Sequence, residues 1–295
     1  MKYFRNRTTP QRGFFLPFTF HPVPFTFHPV PFTFHPVPLN LTPANFYSFV
    51  RKLTFLCYLC TTKMKIFIKI LKYSGLLILA FLLLTTMEVL AFRWLPVPRT
   101  ILMVMRNKQF KEDKNYQFRQ SWMPLSGISP NIVKSVIASE DNLFYQHKGF
   151  DWKEINTAIE QNKQGKRLRG ASTISQQVAK NVFLWPDRSW FRKGLEAYYT
   201  VLIELLWDKD RIMEVYLNVA EMGKGIFGIE AAAQAYFKKP ALKLSAGEAA
   251  LIAAALPSPL NRNPANPGSY MQKRQRQILD LINKLGPLTE RNSTR

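Results

Sequence analysis

Residues 129–151 read SPNIVKSVIASEDNLFYQHKGFD, a helix signal followed directly by an acidic pair. Ser129 is a typical N-cap, and Pro130 suits the first helical position because its missing N–H would have no partner there. Apolar residues then recur at helical spacing over the next two turns. The pattern predicts a helix that starts near Ser129 and ends at Glu140 and Asp141.

This position makes the two carboxylates candidates for proton transfer. A carboxylate at a helix C-terminus faces the negative end of the helix dipole, so the pKa of Glu140 should rise. A raised pKa suits a group that exchanges a proton near neutral pH. The alternative is an exposed acidic pair with no role. His147 fits a structural hydrogen-bonding residue of the loop better than a catalyst.

Further along the chain, residues 165–181 read GKRLRGASTISQQVAKN, basic residues followed by small polar residues and a helix start. Thr173 and Gln176 have the spacing of a capping box. Backbone N–H groups and hydroxyls at a helix N-terminus suit phosphate, and Lys180 lies two turns further on. The alternative is a solvated basic loop that leads into an ordinary capped helix.

A second carboxylate belongs to the sequence RKGLEAYYTVLIE, residues 192–204. Arg192 and Glu196 are four residues apart and therefore share one face of the predicted helix. Either they form an ordinary surface pair, or Glu196 is held ionised by Arg192 and Lys193 beside a bound pyrophosphate. Two carboxylates in different surroundings commonly divide acid and base roles.

The rest of the second half of the chain also predicts helices. The stretch DKDRIMEVYLNVAEMG reads as a helix closed by Gly223. Ser245 and Glu248 form another capping box, whose apolar helix is too short to span a membrane and ends before Pro257. A last helix is predicted over residues 270–284. The fold class is therefore mainly α.

The N-terminal region contains an exact repeat. FTFHPVP occurs three times over residues 18–38, with two prolines in each copy. Because an internal proline costs a helix roughly 3 kcal/mol, this heptad is no coiled coil, and extended chain is expected. Its three histidines suggest a metal tract only weakly. We interpret residues 1–63 as a disordered or mis-assigned extension, which makes Met64 the expected start.

An apolar stretch follows the repeat region. Residues 73–87 contain no charge, and the apolar character resumes to residue 92, long enough to cross a bilayer core. A cleavable signal peptide is the alternative, but no clear cleavage site follows. Basic residues precede the stretch, so we predict a single transmembrane helix over residues 70–92 with its N-terminus in the cytoplasm.

Composition limits the partners. Both cysteines, Cys57 and Cys60, precede the predicted anchor, so the exported part has no thiol chemistry. The formal net charge of +22 suits nucleic acid or an anionic membrane surface. An exported domain does not meet nucleic acid, and we expect a phosphate-bearing lipid instead.

Five blocks in order make a specific pattern: EDNLFYQHKG, RGASTISQQVAKN, RKGLEAYYTVLIE, KDRIMEVYLN and GIEAAAQAYFKKPALKLSAGEAALIAAALPSP. Together they resemble the five motifs of the peptidoglycan glycosyltransferases, glycosyltransferase family 51, which polymerise lipid II. The resemblance runs from about residue 94 and implies a lysozyme-like helical domain over residues 94–290. It is strongest to monofunctional members of the family, since S-x-x-K and K-T-G motifs of a penicillin-binding domain are missing from the sequence.

The resemblance also implies roles for individual residues. Glu140 matches the family's general base, and Glu196 matches the second carboxylate, which helps to stabilise the leaving pyrophosphate. The positions that match residues holding the donor phosphates are Lys180, Arg192 and Lys193, with Ser172, Gln177 and Asn181 as polar neighbours. The sequence requires no cofactor, although a divalent cation, Mg²⁺ or Mn²⁺, at the pyrophosphate is left open.

The implied partners are lipid II, the growing undecaprenyl-diphosphate glycan chain, the membrane, and cell-division or penicillin-binding proteins. The implied location is the cell inner membrane, with the catalytic domain in the periplasm. Two other functions share some of these features. A lytic muramidase would use water as the nucleophile, and a membrane-anchored scaffold would need no carboxylate pair.

Overall fold

A computed structural model describes residues 43–114, 116–163, 172–187 and 189–285. The chain divides into two units, one ending at Lys69 and the other beginning at Ile70. The described residues are mainly helical, which confirms the predicted fold class. The repeat at residues 18–38 lies outside the described residues, so its predicted extended conformation stays a prediction, as do the predicted domain boundaries.

Helix α1 spans Pro43–Ala91 and contains the predicted anchor. It is apolar enough over Phe46–Ala91 to cross a membrane, and none of its most apolar window is buried by protein. Because about 20 residues suffice for one crossing, the helix is longer than a bilayer core requires. A single membrane anchor accounts for these exposed apolar side chains, which water would solvate poorly.

The second unit adds nine helices to the described part of the chain. They are α2 (Ile101–Gln109), α3 (Pro130–Glu140), α4 (Trp152–Lys163), α5 (Ile174–Phe183), α6 (Trp190–Leu206), α7 (Lys209–Val219), α8 (Ile229–Phe237), α9 (Ala246–Ala255) and α10 (Ser269–Leu285). Short 3-10 helices cover Leu125–Gly127 and Ala241–Lys243.

The predicted helix starts are confirmed. The Ser129 hydroxyl accepts a hydrogen bond from the Asn131 N–H at 3.3 Å, with Pro130 at the first helical position. Capping boxes start α5 at Thr173 and α9 at Ser245. These local signals depend on neighbouring residues alone, which is why the sequence reveals them.

Two groups of helices build the core. Helix α3 packs on α9 and α10, and α5 packs on α6 and α7. Helix α9 is buried from Ala249 to Ala255, as predicted for a core helix. The ends of α3 and the start of α5 meet at the border of the two groups, where the Asp141 carboxylate accepts a hydrogen bond from the Ile174 N–H at 3.0 Å. This border positions the site described below.

A small sheet corrects one predicted boundary. Strands β1 (Arg119–Gln120), β2 (Glu221–Gly223) and β3 (Ile226–Phe227) pair in the order β1-β3-β2, with β1 parallel and β2 antiparallel to β3. Gly223 therefore belongs to a strand and does not close the preceding helix, which ends at Val219. The prediction was wrong because β2 and β3 contain only three and two residues, too few for the alternating pattern that reveals a strand in sequence.

Within the second unit, α6 and α7 contact the last turns of α1. The Trp207 indole N–H donates to the Val89 carbonyl at 2.8 Å, and the Arg211 guanidinium donates to the Phe92 carbonyl at 2.9 Å. The hydroxyls of Tyr198 and Thr85 lie 2.7 Å apart. The end of the anchor helix is thus bonded to the helix that carries Glu196.

Candidate active site

Glu140 is the last residue of α3 and is supplied with neutral hydrogen-bond donors. Gln177 Nε2 on α5 donates to Glu140 Oε2 at 3.1 Å, and Ser139 Oγ donates a longer bond to Oε1 at 3.4 Å. Burial raises the pKa of Glu140, while these two hydrogen bonds and the charges of Arg274 and Lys180 lower it, with burial as the largest effect. The direction agrees with the sequence prediction, but burial is the main physical cause.

The neighbouring Asp141 is buried and has a structural role. His147 Nε2 donates to Asp141 Oδ1 at 2.9 Å, while His147 Nδ1 accepts from the Gly149 N–H at 3.1 Å, so the ring proton is on Nε2. Asp141 also holds the first N–H of α5. The interpretation as an exposed acidic pair is therefore wrong for Asp141, and His147 is the structural loop residue that was predicted.

Gly149 explains why this loop fits so closely over α5 and α6. Its φ of +87° lies in the left-handed region, and an added Cβ would come within 2.8 Å of Thr200 Cγ2. Its carbonyl accepts a hydrogen bond from the Thr173 hydroxyl at 2.7 Å. The loop after Glu140 is thus attached to the start of the helix that carries Gln177 and Lys180.

Glu140 opens into a cavity of about 420 Å³, which we call the Glu140 cavity. Residues from α3, α4, α5 and α10 line it, among them Asp151, Glu154, Ser172, Gln177 and Arg274. The cavity has a carboxylate at one wall and polar groups around it. It can therefore hold a hydroxyl-bearing ligand within reach of a base.

On α6, Glu196 is enclosed by cations. Arg192 Nη1 lies 2.8 Å from Glu196 Oε2, and Lys193 Nζ contacts the other carboxylate oxygen. The Glu196 side chain is 4% exposed, so this is no surface pair. Arg192 Nε is buried without a hydrogen-bond partner among the described residues. The trio carries one net positive charge, because two cations face one carboxylate.

A second cavity of about 640 Å³ adjoins this trio, and we call it the Lys180 cavity. All the predicted phosphate-site residues line it: Ser172, Gln177, Lys180, Asn181, Arg192 and Lys193, together with Glu196. Ser172, Gln177 and Pro257 line both cavities. The predicted site residues are therefore brought together, with Glu140 on one side of a shared wall and the cations on the other.

Lys180 lies three residues after Gln177, which is part of the shared wall. Burial lowers its pKa most, Arg192 and Lys193 lower it further, and Glu196 and Glu140 raise it. An anionic ligand would stabilise the charged form of Lys180, because it offsets the cost of partial burial and the repulsion from Arg192 and Lys193. The arrangement suits a pyrophosphate better than a neutral sugar.

The residues do not fit a divalent ion held by the protein. Both oxygens of Glu196 face cationic side chains, which compete with any metal for the carboxylate. Within the described ranges, His, Cys, Asp and Glu form no cluster of three or more that could hold a metal.

Sequence reasoning missed two residues at these cavities, Arg106 and Arg274. Arg106 on α2 pairs with Glu221 of β2 at 2.9 Å, and both line the Lys180 cavity. Arg274 on α10 lines the Glu140 cavity. Both lie on helices that are far in sequence from the predicted site residues, so no local spacing pattern predicts them. Arg274 adds a cation to the Glu140 cavity, whereas Glu221 offsets the charge of Arg106 in the Lys180 cavity.

Comparisons with known proteins identify the family to which the chain is similar. A sequence profile described as Transglycosylase matches residues 106–283. A biosynthetic peptidoglycan transglycosylase of Bacteroides thetaiotaomicron is 52% identical over 216 residues, which is 73% of this chain and 87% of the relative. Proteins of the same name from Bdellovibrio bacteriovorus and Cronobacter sakazakii are 50% and 46% identical, over 66% and 76% of this chain and 78% and 94% of their own lengths.

Proposed function

The chain belongs to the peptidoglycan transglycosylase family, and from that premise we propose how its two cavities divide the polymerisation of lipid II. The Lys180 cavity binds the pyrophosphate of the growing glycan donor. The Glu140 cavity receives the sugar of the incoming lipid II. The single observation that supports this division is the wall formed by Ser172, Gln177 and Pro257, which lines both cavities and lies between Glu140 and the cations Lys180, Arg192 and Lys193.

The reaction follows from this placement. The acceptor 4-hydroxyl oxygen attacks the anomeric carbon of the donor, and its proton passes to the Glu140 carboxylate. The bond from the anomeric carbon to the pyrophosphate oxygen breaks, and that electron pair leaves with undecaprenyl diphosphate. Attack from the face opposite the leaving group inverts an α-linked donor into a β-1,4 link. Each turnover lengthens the glycan by one lipid II unit.

The cations of the Lys180 cavity act on the leaving group. Negative charge grows on the pyrophosphate as its bond to the sugar breaks, and Lys180, Arg192 and Lys193 are positioned in advance to stabilise that charge. Glu196 contributes through the two cations it contacts, since both of its carboxylate oxygens are engaged by them. It therefore positions Arg192 and Lys193 against the phosphates.

The location follows from the anchor and the substrate. Helix α1 fits a single membrane-spanning anchor, and the basic residues before its apolar part favour a cytoplasmic N-terminus. The cavities then lie on the outer side of the cell inner membrane, where a lipid-linked donor reaches them from the bilayer. Contacts with cell-division or penicillin-binding proteins stay a prediction.

The test is incubation of the purified full chain, in detergent, with labelled lipid II and separately with preformed peptidoglycan. We expect labelled glycan strands from lipid II and no change in the preformed polymer. Shortened preformed peptidoglycan would indicate a lytic enzyme instead. No change in either substrate would indicate a scaffold, and both of these outcomes would overturn the proposal.

A further inference from the structure

Arg274 lies where the Glu140 cavity meets helix α10. It is half-buried, and its Nη2 donates a long hydrogen bond of 3.4 Å to the carbonyl of Ser139, the residue before Glu140. Its other terminal nitrogen makes an equally long bond to Gln277 on the same helix. Neither contact engages the guanidinium charge with a carboxylate, so the charge remains available to the cavity it lines.

A positive charge near Glu140 favours the ionised form of its carboxylate. Glu140 is half-buried beside neutral donors, and as a general base it must be ionised before it can accept a proton from a hydroxyl. Burial disfavours the ionised form. Among the residues that the structure describes, Arg274 is the arginine that lines the same cavity as this carboxylate.

We propose that Arg274 is a positioning residue for the base: its guanidinium holds the end of α3 through Ser139 and keeps the Glu140 carboxylate ionised in the pH range where the enzyme works. The proposal rests on the proposed role of Glu140. It goes beyond that role, because it assigns to a residue of α10 the positive charge that keeps Glu140 ionised in the cavity for the acceptor sugar.

The other charged and titratable groups around Glu140 do not replace Arg274. Lys180 on α5 has the same sign, but it lines the Lys180 cavity, where the donor phosphates neutralise it. Tyr216 on α7 is fully buried, and burial keeps its pKa well above its ordinary value, so it stays neutral. Helix α9 has one titratable residue, Glu248, and this pairs with Lys239 at 2.8 Å.

Arg274 and Lys180 both lower the pKa of Glu140 against the larger effect of burial. Removing Arg274 leaves the opposing effect of burial intact, so the pKa of Glu140 rises. Because the ionised form is the active one, the acid limb of the activity profile should move to higher pH. Above that limb the carboxylate is ionised again and activity should recover.

The test compares the pH profile of lipid II polymerisation for the full chain and for Arg274→Gln, Arg274→Lys and Arg276→Gln. Arg276 is an exposed arginine two residues along the same helix and is the matched control. For Arg274→Gln we expect an upward shift of the acid limb by about half to one pH unit, the low end of what a nearby charge produces. At pH values below both limbs this shift gives a loss of about three- to tenfold, with recovery on the alkaline side.

The lysine variant should keep the limb near its original position, and Arg276→Gln should match the parent chain. A loss of the same factor at every pH, with an unmoved limb, would overturn the proposal and indicate an acceptor-binding or purely structural residue. Equal shifts in Arg274→Gln and Arg274→Lys would overturn it too, because the charge would then not be the cause.

The same experiment separates this proposal from the function it rests on. Absence of polymerisation by the parent chain would contradict the proposed function, and polymerisation by Glu140→Gln would remove Glu140 as the base. An active parent with an inactive Glu140→Gln, together with an unmoved limb in Arg274→Gln, would contradict the Arg274 proposal alone.

Discussion

Glu140 and Glu196 have different surroundings, which suit the two carboxylates to different roles. Glu140 receives hydrogen bonds from the neutral side chains of Gln177 and Ser139, and burial raises its pKa. Glu196 instead contacts the cationic groups of Arg192 and Lys193. A group with a raised pKa is suited to take a proton, whereas a carboxylate already engaged by two cations is suited to hold them in place.

The contacts of Glu196 on α6 predict that loss of Arg192 weakens donor binding more than loss of Lys193. Arg192 is 10% exposed and Lys193 is 42% exposed, so a charged bond from Arg192 is less screened by water. We expect Arg192→Ala to weaken binding of a phosphoglycolipid donor mimic by about 10- to 100-fold, because a hydrogen bond to a charged group contributes about 1.5–3 kcal/mol.

Lys193→Ala should show a smaller loss in the same binding measurement, made by calorimetry. Turnover should also slow in Arg192→Ala, since the lost guanidinium stabilises the leaving pyrophosphate. Unchanged binding by Arg192→Ala would place the phosphates elsewhere in the molecule.

Among the elements, α5 connects the two cavities. Its capping box at Thr173 fixes where the helix starts, and its next turns carry Gln177 and Lys180. Helix α9 has the same kind of capping box at Ser245, on an exposed helix start. The two caps have the same capping hydrogen bonds, but Thr173 is buried and its hydroxyl also donates to the Gly149 carbonyl.

Ser245→Ala should lower the free energy of unfolding by about 1 kcal/mol, the usual contribution of such a cap, and the melting temperature by about 2–4 °C. Thr173→Ala should lower both by more, because it also removes the donor to the buried Gly149 carbonyl. Polymerisation measured well below both melting temperatures should fall only in Thr173→Ala, because its helix carries both cavity residues. Equal activity losses in the two variants would mean that global stability, and not the placement of α5, limits the reaction.

The same elements show what local sequence can predict. Helix starts at Ser129, Thr173 and Ser245 depend on residues within one turn, and all three were predicted. The end of α7 was not, because the strands that follow Val219 have only two or three residues and show no alternating pattern. Arg274 was missed for a different reason: Glu140 and Gln177, with which it shares a site, lie more than 90 residues earlier in the chain.

At the scale of the whole molecule, the chain combines a high positive charge with one apolar anchor. The formal net charge is +22, and the second unit bonds the end of α1 through Trp207 and Arg211. Positive charge near a membrane attracts anionic headgroups. The second unit is thus bonded to the end of the apolar helix that fits a membrane anchor.

Orientation in the membrane can be tested with a reporter enzyme that is active only in the cytoplasm. Fused after Arg295, it should be inactive, because the basic residues before the apolar part of α1 keep the N-terminus inside. A second fusion that places the reporter before Met1 should be active and controls for expression. Strong activity of the C-terminal fusion would invert the orientation and separate the site from a periplasmic substrate.

The central claim, that this chain polymerises lipid II with Glu140 as the general base, is tested most directly by Glu140→Gln. The amide keeps the shape of the side chain but cannot accept the proton, so polymerisation should fall by about 10²–10⁴ in rate. Binding of the phosphoglycolipid mimic should survive, because the phosphates are held by the cations of the Lys180 cavity. Near-normal polymerisation of labelled lipid II by Glu140→Gln would contradict the claim.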